Sequence, residues 1–215
     1  MSLSVNRVLA PITVLGAGRR VGVWVQGCAL ACPGCASVDT WDRTVGTLHE
    51  PAELAVTIAD QVQRESLDGL TITGGEPLDQ PEQLAALVTE LRARLLSWPK
   101  AETFDVLLFS GYPAKAAARR AGRLWNLLDA AVCGPYRQQL PSDIPLVASD
   151  NQQLVLLTEV GRAKYPLSNA APRVQIVSDG ESLTMVGLPR PGELNLFASR
   201  LAERGVQLAG VSWQT

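Results

Sequence analysis

Val21-Gly-Val-Trp-Val-Gln-Gly-Cys-Ala-Leu-Ala-Cys-Pro-Gly-Cys35 joins an apolar, β-branched run to three cysteines spaced C-x3-C-x2-C. The stretch Val21 to Gln26 reads as a buried strand, so Cys28, Cys32 and Cys35 fall on a loop at its carboxyl end. Iron–sulfur clusters are normally held by four cysteine thiolates. Three converging thiolates with no fourth nearby leave one iron open to a small molecule, which implies chemistry rather than electron storage alone. The competing reading is a structural zinc site closed by Cys133, although zinc spacings are built from C-x2–4-C pairs rather than one tight triplet.

Downstream, apolar residues recur every fourth position from Pro51 to about Glu65 (Leu54, Ile58, Val62), which predicts a helix with one apolar stripe. Leu70-Thr-Ile-Thr73 reads as a second strand ended by Gly74-Gly75. Pro81 opens a second helix, because proline is tolerated in a first turn, and Leu84, Leu87, Val88, Leu91 and Leu95 give it one face. Phe104 to Phe109 is a third strand, Ala114 to Leu128 a third helix, and Ala130–Cys133 and Gln153–Leu157 are short strands.

Strands alternating with helices point to an α/β fold with a parallel sheet and right-handed crossovers. Ligands of such sheets gather at the carboxyl ends of the strands, where both the cysteine loop and the Gly74-Gly75 turn lie. Fewer residues separate Val21 from Thr158 than the ~200–250 of a full eight-unit barrel, so the expected architecture is an open, partial barrel. After Pro166 the pattern changes. Val174–Val177 and Leu183–Val186 flank a turn-forming Asp-Gly, a helix carries Leu194, Phe197, Ala198 and Leu201 on one face and stops near Gly205, and Val206–Trp213 forms a last strand. The expected division is a domain over 1–166 and an appended hairpin–helix–strand unit over 167–215.

The 215 residues carry a formal charge of −2, which offers no basic surface of the kind duplex nucleic acid requires. No run approaches the ~18 apolar residues of a membrane helix, and the first residues lack a signal-peptide layout. A cytoplasmic protein with reduced, metal-binding thiols is expected. Thr73-Gly-Gly-Glu-Pro77 adds exposed backbone carbonyls and an anion, Glu76, which suit an ammonium group held beside the cluster.

The combination of C-x3-C-x2-C with Gly-Gly-Glu-Pro one βα unit later resembles the radical S-adenosylmethionine (SAM) superfamily. Further words narrow the resemblance: Leu15-Gly-Ala-Gly18, Trp24-Val-Gln-Gly-Cys28, Cys32-Pro-Gly-Cys35, Thr40-Trp41, Phe109-Ser-Gly-Tyr112, Val132-Cys-Gly-Pro-Tyr136 and Asp150-Asn-Gln152. In this order they are similar to the small activating proteins of glycyl-radical enzymes, above all those of anaerobic ribonucleotide reductase.

The resemblance implies a [4Fe-4S] cluster on Cys28, Cys32 and Cys35, with SAM on the remaining iron. It implies that Gly74, Gly75, Glu76 and Pro77 receive the methionyl amine, and that Gly34, Ala36 and Ser110 are further cofactor contacts, Ser110 at the ribose. It also implies reductive cleavage of SAM to a 5'-deoxyadenosyl radical that activates a partner enzyme. A peptide or small-metabolite substrate is the alternative, and a non-catalytic iron–sulfur module a further one. The implied partners are a glycyl-radical enzyme and a flavodoxin- or ferredoxin-like electron donor, without nucleic acid or membrane. Ala36-Ser37 stands where these proteins usually carry an aromatic residue and Asn, and Cys133 where they carry Asp.

Other residues have plainer readings. His49 is a surface or capping residue, Trp24 a core residue, and Cys133 a buried strand residue. Trp41 could shield a radical from solvent. Arg19-Arg20 and Arg119-Arg120 read as solvated charges.

Overall fold

The computed structural model describes residues 1–165, 167, 172–178 and 182–208. Its centre is a seven-stranded mixed sheet, flanked by helices, in an α/β arrangement. In chain order the elements are β1 Leu3–Ile12, β2 Arg20–Val25, β3 Thr47–His49, α1 Pro51–Glu65, β4 Gly69–Gly74, α2 Pro81–Leu95, β5 Asp105–Ser110, α3 Ala114–Ala121, β6 Ala130–Cys133, β7 Gln153–Leu156 and α4 Glu159–Lys164. A separate hairpin, β8 Val174–Ser178 and β9 Leu183–Gly187, is followed by α5 Glu193–Ala202.

The strand order is β3-β1-β2-β4-β5-β6-β7. The middle four strands, β2, β4, β5 and β6, are parallel, as the alternation of strands and helices predicts. The expectation of a parallel sheet throughout is corrected at both margins, where β1, β3 and β7 pair antiparallel. β1 escaped the sequence reading because its register slips twice against β2, between Val5 and Arg7 and between Leu9 and Ile12, which breaks the alternation that marks a strand.

Parallel strands covered on both faces should be apolar throughout, and β2 is buried at all six positions. Val21, Val23 and Val25 face α1 and α2, joining Leu54, Ile58, Val62, Leu84 and Leu91 in the main core. Fully burying an aliphatic side chain of this size contributes about 1.5–3 kcal/mol, so this layer is the principal stabilising contact of the sheet. Trp24 points the other way, into a second cluster with Ile12, Val14, Leu15 and Val186 of the hairpin. Gln175 strengthens that contact: its Oε1 accepts from Thr13 N–H at 2.8 Å and its Nε2 donates to the Pro11 carbonyl at 3.0 Å.

Helices α1 and α2 occupy the expected spans, each with proline in its first turn. The third helix is shorter than the sequence suggests. Gly122 adopts φ +54°, and the chain continues as a 3-10 turn over Gly122–Leu127 that turns Leu124 into the core. The Asp-Gly turn of the hairpin and most of the expected last strand lie outside the described residues; Val206 to Leu208 are not in a strand.

Arg20 is a second correction. Its side chain is fully buried, with Nη1 and Nη2 each 2.8 Å from an oxygen of Asp105, Nε on Thr71 Oγ1 and Nη2 on the Leu70 carbonyl. Lys164 and Tyr165 also reach Asp105, at 2.8 and 2.5 Å. This network sits at the amino ends of the parallel strands, opposite the cysteine loop. A charge can be buried so deeply only when it is paired and its donors are used.

Candidate active site

At the carboxyl ends of β2 and β4 two loops are hydrogen-bonded into one unit. Gly75 N–H donates to the Val25 carbonyl and Glu76 N–H to the Gly27 carbonyl, both at 2.9 Å. Gly74 has φ +103°, and a Cβ on Gly75 would overlap the Gly27 carbonyl oxygen. Glycine is required here because two backbones touch, one of them leading directly into Cys28. The far end of the cysteine loop is closed by Gly27 N–H on the Thr40 carbonyl at 2.8 Å and Cys28 N–H on the Trp41 carbonyl at 3.1 Å.

Cys28, Cys32 and Cys35 line one cavity of about 120 Å3, together with Trp41, Thr73, Gly74, Gly75, Glu76, Ser110, Tyr136 and Gln152. All three are free thiols and partly exposed. Among the described residues no group of His, Cys, Asp or Glu converges as the ligands of a single metal ion would. Three soft thiolates around a cavity suit a polynuclear iron–sulfur group instead, in which each sulfur binds a different iron. Burial pushes the Cys28 and Cys35 thiols upward, despite N–H donors such as Ser37 N–H at 3.4 Å from Cys35 Sγ. Iron bound there would supply the positive charge needed to hold them as thiolates.

Cys133 lies outside this arrangement. It is 1 % exposed in the main core, and burial pushes its thiol up to about 12. It is a neutral core thiol, as its strand position suggests.

Glu76 is buried, and its carboxylate is already engaged: Oε1 accepts from Leu78 N–H and Ser110 Oγ, each at 2.9 Å, and Oε2 accepts from Gly111 N–H at 2.8 Å. Burial raises its pKa more strongly than these bonds lower it. The side chain therefore ties the turn after β4 to the end of β5. Ser110 shares that tie, and Pro77 opens a buried 3-10 turn outside the lining of the cavity.

Cys35, Thr73, Gly74, Tyr136 and Gln152 also border a second, larger cavity of about 830 Å3, which includes Gly34 and Ala36. Its opposite wall is β9, the start of α5 and the residues after α5. Its floor includes Trp24, under the Arg7 guanidinium at 5.1 Å. Arg7 Nη1 pairs with Asp39 Oδ2 at 2.5 Å, while Gln26 Nε2 donates to the Asp39 and Asp42 carbonyls. Sequence reasoning missed this support for the cysteine loop, because Arg7 lies on the irregular strand β1.

The words near residues 134 and 151 acquire a physical role. Gln152 Nε2 donates to the Gly134 carbonyl at 3.0 Å and Asn151 Nδ2 to the Pro135 carbonyl at 2.7 Å, which holds Tyr136 at the cavity rim. His49 is on the edge strand β3 and lines neither cavity.

The chain is similar to several known proteins. Residues 14–155 match the family described as 4Fe-4S single cluster domain. The anaerobic ribonucleoside-triphosphate reductase-activating protein of Enterobacteria phage T4 is 30% identical over 154 residues, 71% of this chain and 93% of that protein. Its counterpart from Pasteurella multocida is 37% identical over 151 residues, 68% of this chain and 92% of that protein. The pyruvate formate-lyase-activating enzyme of Staphylococcus epidermidis is 37% identical over 90 residues, 38% of this chain and 34% of that enzyme. Among solved structures, QueE from Escherichia coli aligns with a TM-score of 0.40 and 18% identity over 52% of this chain and 53% of that one. The family match and the ribonucleoside-triphosphate reductase-activating relatives lead to one assignment: the chain belongs to the 4Fe-4S single cluster domain family, together with proteins named as anaerobic ribonucleoside-triphosphate reductase-activating proteins.

Proposed function

We propose that this protein reductively cleaves SAM at a [4Fe-4S] cluster and uses the resulting 5'-deoxyadenosyl radical to activate a glycyl-radical enzyme. The observation that carries the reading is the pair of hydrogen bonds joining Gly75 and Glu76 to Val25 and Gly27, which makes the cysteine loop and the glycine turn a single surface. When bound, the cluster and SAM supply the one-electron chemistry. The chain's own residues bind, orient and shield.

Cys28, Cys32 and Cys35 would hold the cluster. The carbonyls of the Gly74-Gly75 turn would receive the methionyl amine, while Glu76 and Ser110 keep that turn in place from behind. Trp41 and Tyr136 would exclude water from the reacting atoms. No side-chain acid or base is required for this first step.

The seven-stranded sheet would act as an open partial barrel over residues 1–166, with residues 167–215 an appended unit. The larger cavity, between that unit and the cysteine loop, falls within the ~300–1,000 Å3 of ligand sites and would admit a substrate segment beside SAM. That wall also supports a second reading, in which the hydrogen donor is a peptide or small metabolite enclosed by the unit.

The test is anaerobic. The reconstituted protein, given SAM and dithionite, should yield 5'-deoxyadenosine and methionine, and Cys32→Ala should yield none. Adding the host's anaerobic ribonucleotide reductase should produce a glycyl radical by electron paramagnetic resonance. SAM cleavage without a glycyl radical favours the second reading, and a full cluster that binds SAM without cleaving it sinks both.

A further inference from the structure

The hairpin of the appended unit turns one strand edge toward the larger cavity. Leu188 N–H donates to the Arg173 carbonyl at 2.8 Å, and the register runs on from there with Val174 opposite Gly187, Gln175 opposite Val186, Ile176 opposite Met185 and Val177 opposite Thr184. In an antiparallel pair, residue pairs that exchange hydrogen bonds alternate with pairs whose backbone groups point outward. Counted from Arg173 and Leu188, the bonded pairs are Gln175 with Val186 and Val177 with Thr184. The N–H and C=O groups of Leu183, Met185 and Gly187 therefore point away from β8, and among the described residues no strand pairs with that side of β9.

The cavity lies along this edge. Every residue of β9 borders it, whereas β8 borders it only through Ile176. Successive strand side chains point to opposite faces, so an unbroken run of lining residues means that the cavity meets the edge of β9 rather than one face. The β8 side instead carries the attachment to the main sheet: Gln175 bonds to Thr13 and Pro11, and Arg173 donates to the Ile144 and Val147 carbonyls.

The other walls are apolar where they meet this edge. They include Trp24 on the floor and Leu194 and Phe197 of α5, a helix with no buried residue. A row of alternating donors and acceptors between apolar walls matches a peptide backbone with apolar side chains at alternate positions, the pattern of strand addition. A compact metabolite would leave most of a five-residue edge, about 17 Å long, without partners. Cys35, Thr73, Gly74, Tyr136 and Gln152 border both cavities, so the space beside β9 is continuous with the cysteine site.

We propose that β9 takes up an extended segment of the protein substrate as a third strand of the hairpin, held by the backbone of Leu183, Met185 and Gly187. The inference rests on the reading above for the origin of that segment, and its test reads binding alone, without SAM cleavage.

The probe is a synthetic peptide copying the radical-glycine segment of the host's anaerobic ribonucleotide reductase, titrated anaerobically into the cluster-loaded protein and followed by fluorescence anisotropy. Two N-methylated forms carry their methyl groups on alternate amides, one form on odd positions and the other on even. Only one of these sets of N–H groups can face β9. One form should therefore bind about tenfold or more weakly than the unmodified peptide, and the other should bind like it. On the protein side, Met185→Pro removes an outward donor and no hairpin bond, a change that edge strands tolerate, and should weaken binding. Met185→Leu, which keeps the donor, and Val174→Pro, the same change on the outer edge of β8, should bind like the parent. Equal binding of the two methylated forms, no binding of the unmodified peptide, an equal loss in Val174→Pro, or a dimer of this chain that Met185→Pro separates would each overturn the proposal. Because the methylated forms are tested on the parent protein, misfolding of a variant leaves that decision intact. Position-dependent binding by a protein that does not cleave SAM would sustain strand addition while sinking the reading above.

Discussion

Ser110 Oγ donates to Glu76 Oε1 across 2.9 Å, so the last residue of β5 holds the carboxylate of the turn that follows β4. With Gly111 N–H on the other oxygen, this bond fixes the loops after two neighbouring parallel strands relative to the cysteines.

Glu76→Ala leaves the Leu78 and Gly111 N–H groups and the Ser110 hydroxyl without their acceptor, and should destabilise the protein by about 1–3 kcal/mol. Urea unfolding under argon measures this, and calorimetry should show weakened SAM binding. The pH response has a definite sign. Burial raises the Glu76 pKa, so the folded state holds that proton more tightly than the unfolded chain. Its contribution makes stability fall as pH rises from the ordinary carboxylate range to the raised value. Glu76→Gln should flatten that segment of the stability curve; an unchanged slope would refute the assignment.

Gly75→Ala tests the contact between the two loops. Its Cβ would press on Gly27 backbone, which cannot rotate away, at a cost of about 1–3 kcal/mol typical of overpacking. Lower stability and weaker SAM binding are expected together. Parent-like values of both would mean that the loops are not coupled.

Each of Cys28→Ala, Cys32→Ala and Cys35→Ala should lose the cluster, whereas Cys133→Ala should keep its full iron and sulfide content. The distinction follows from the cavity, which the first three line, and from the core position of Cys133. Chemical iron and sulfide analysis after anaerobic reconstitution decides it. Parallel loss in Cys133→Ala would restore the closed four-cysteine alternative.

Asp105→Asn strands the fully buried Arg20 guanidinium and should cost about 3–5 kcal/mol in urea unfolding. Burial pushes the Asp105 carboxyl upward, but Arg20 and Lys164 outweigh it and hold the pKa below its ordinary value. The stability it contributes is therefore present above the ordinary carboxylate range and is lost as pH falls through the lowered value. The parent should show this acid-side loss and Asp105→Asn should not.

Much of the fold could be read locally. Pro51 and Pro81 mark helix starts because their missing N–H is not needed there, and the four-residue spacing of Leu54, Ile58 and Val62 has one helical explanation. The register slips hid β1, Gly122 ended α3 early, and Arg20, one of two adjacent arginines, turned inward because Asp105 is its neighbour across the sheet. Arg119 and Arg120, read in the same way as Arg19 and Arg20, did remain exposed.

The sequence by itself determined which thiols are the candidate donors. Thiol chemistry and C-x3-C-x2-C spacing are properties of one short loop, as is the need for glycine after β4. Only the tertiary structure decided what surrounds them, because those relations are made between segments far apart in the chain. Parallel pairing of β2 with β4 brings Gly75 against Gly27, Ser110 claims the Glu76 carboxylate from β5, and the hairpin's Val186 packs with Trp24. A local pattern names the groups that can react; long-range packing sets which of their atoms are already engaged and which face the cavity.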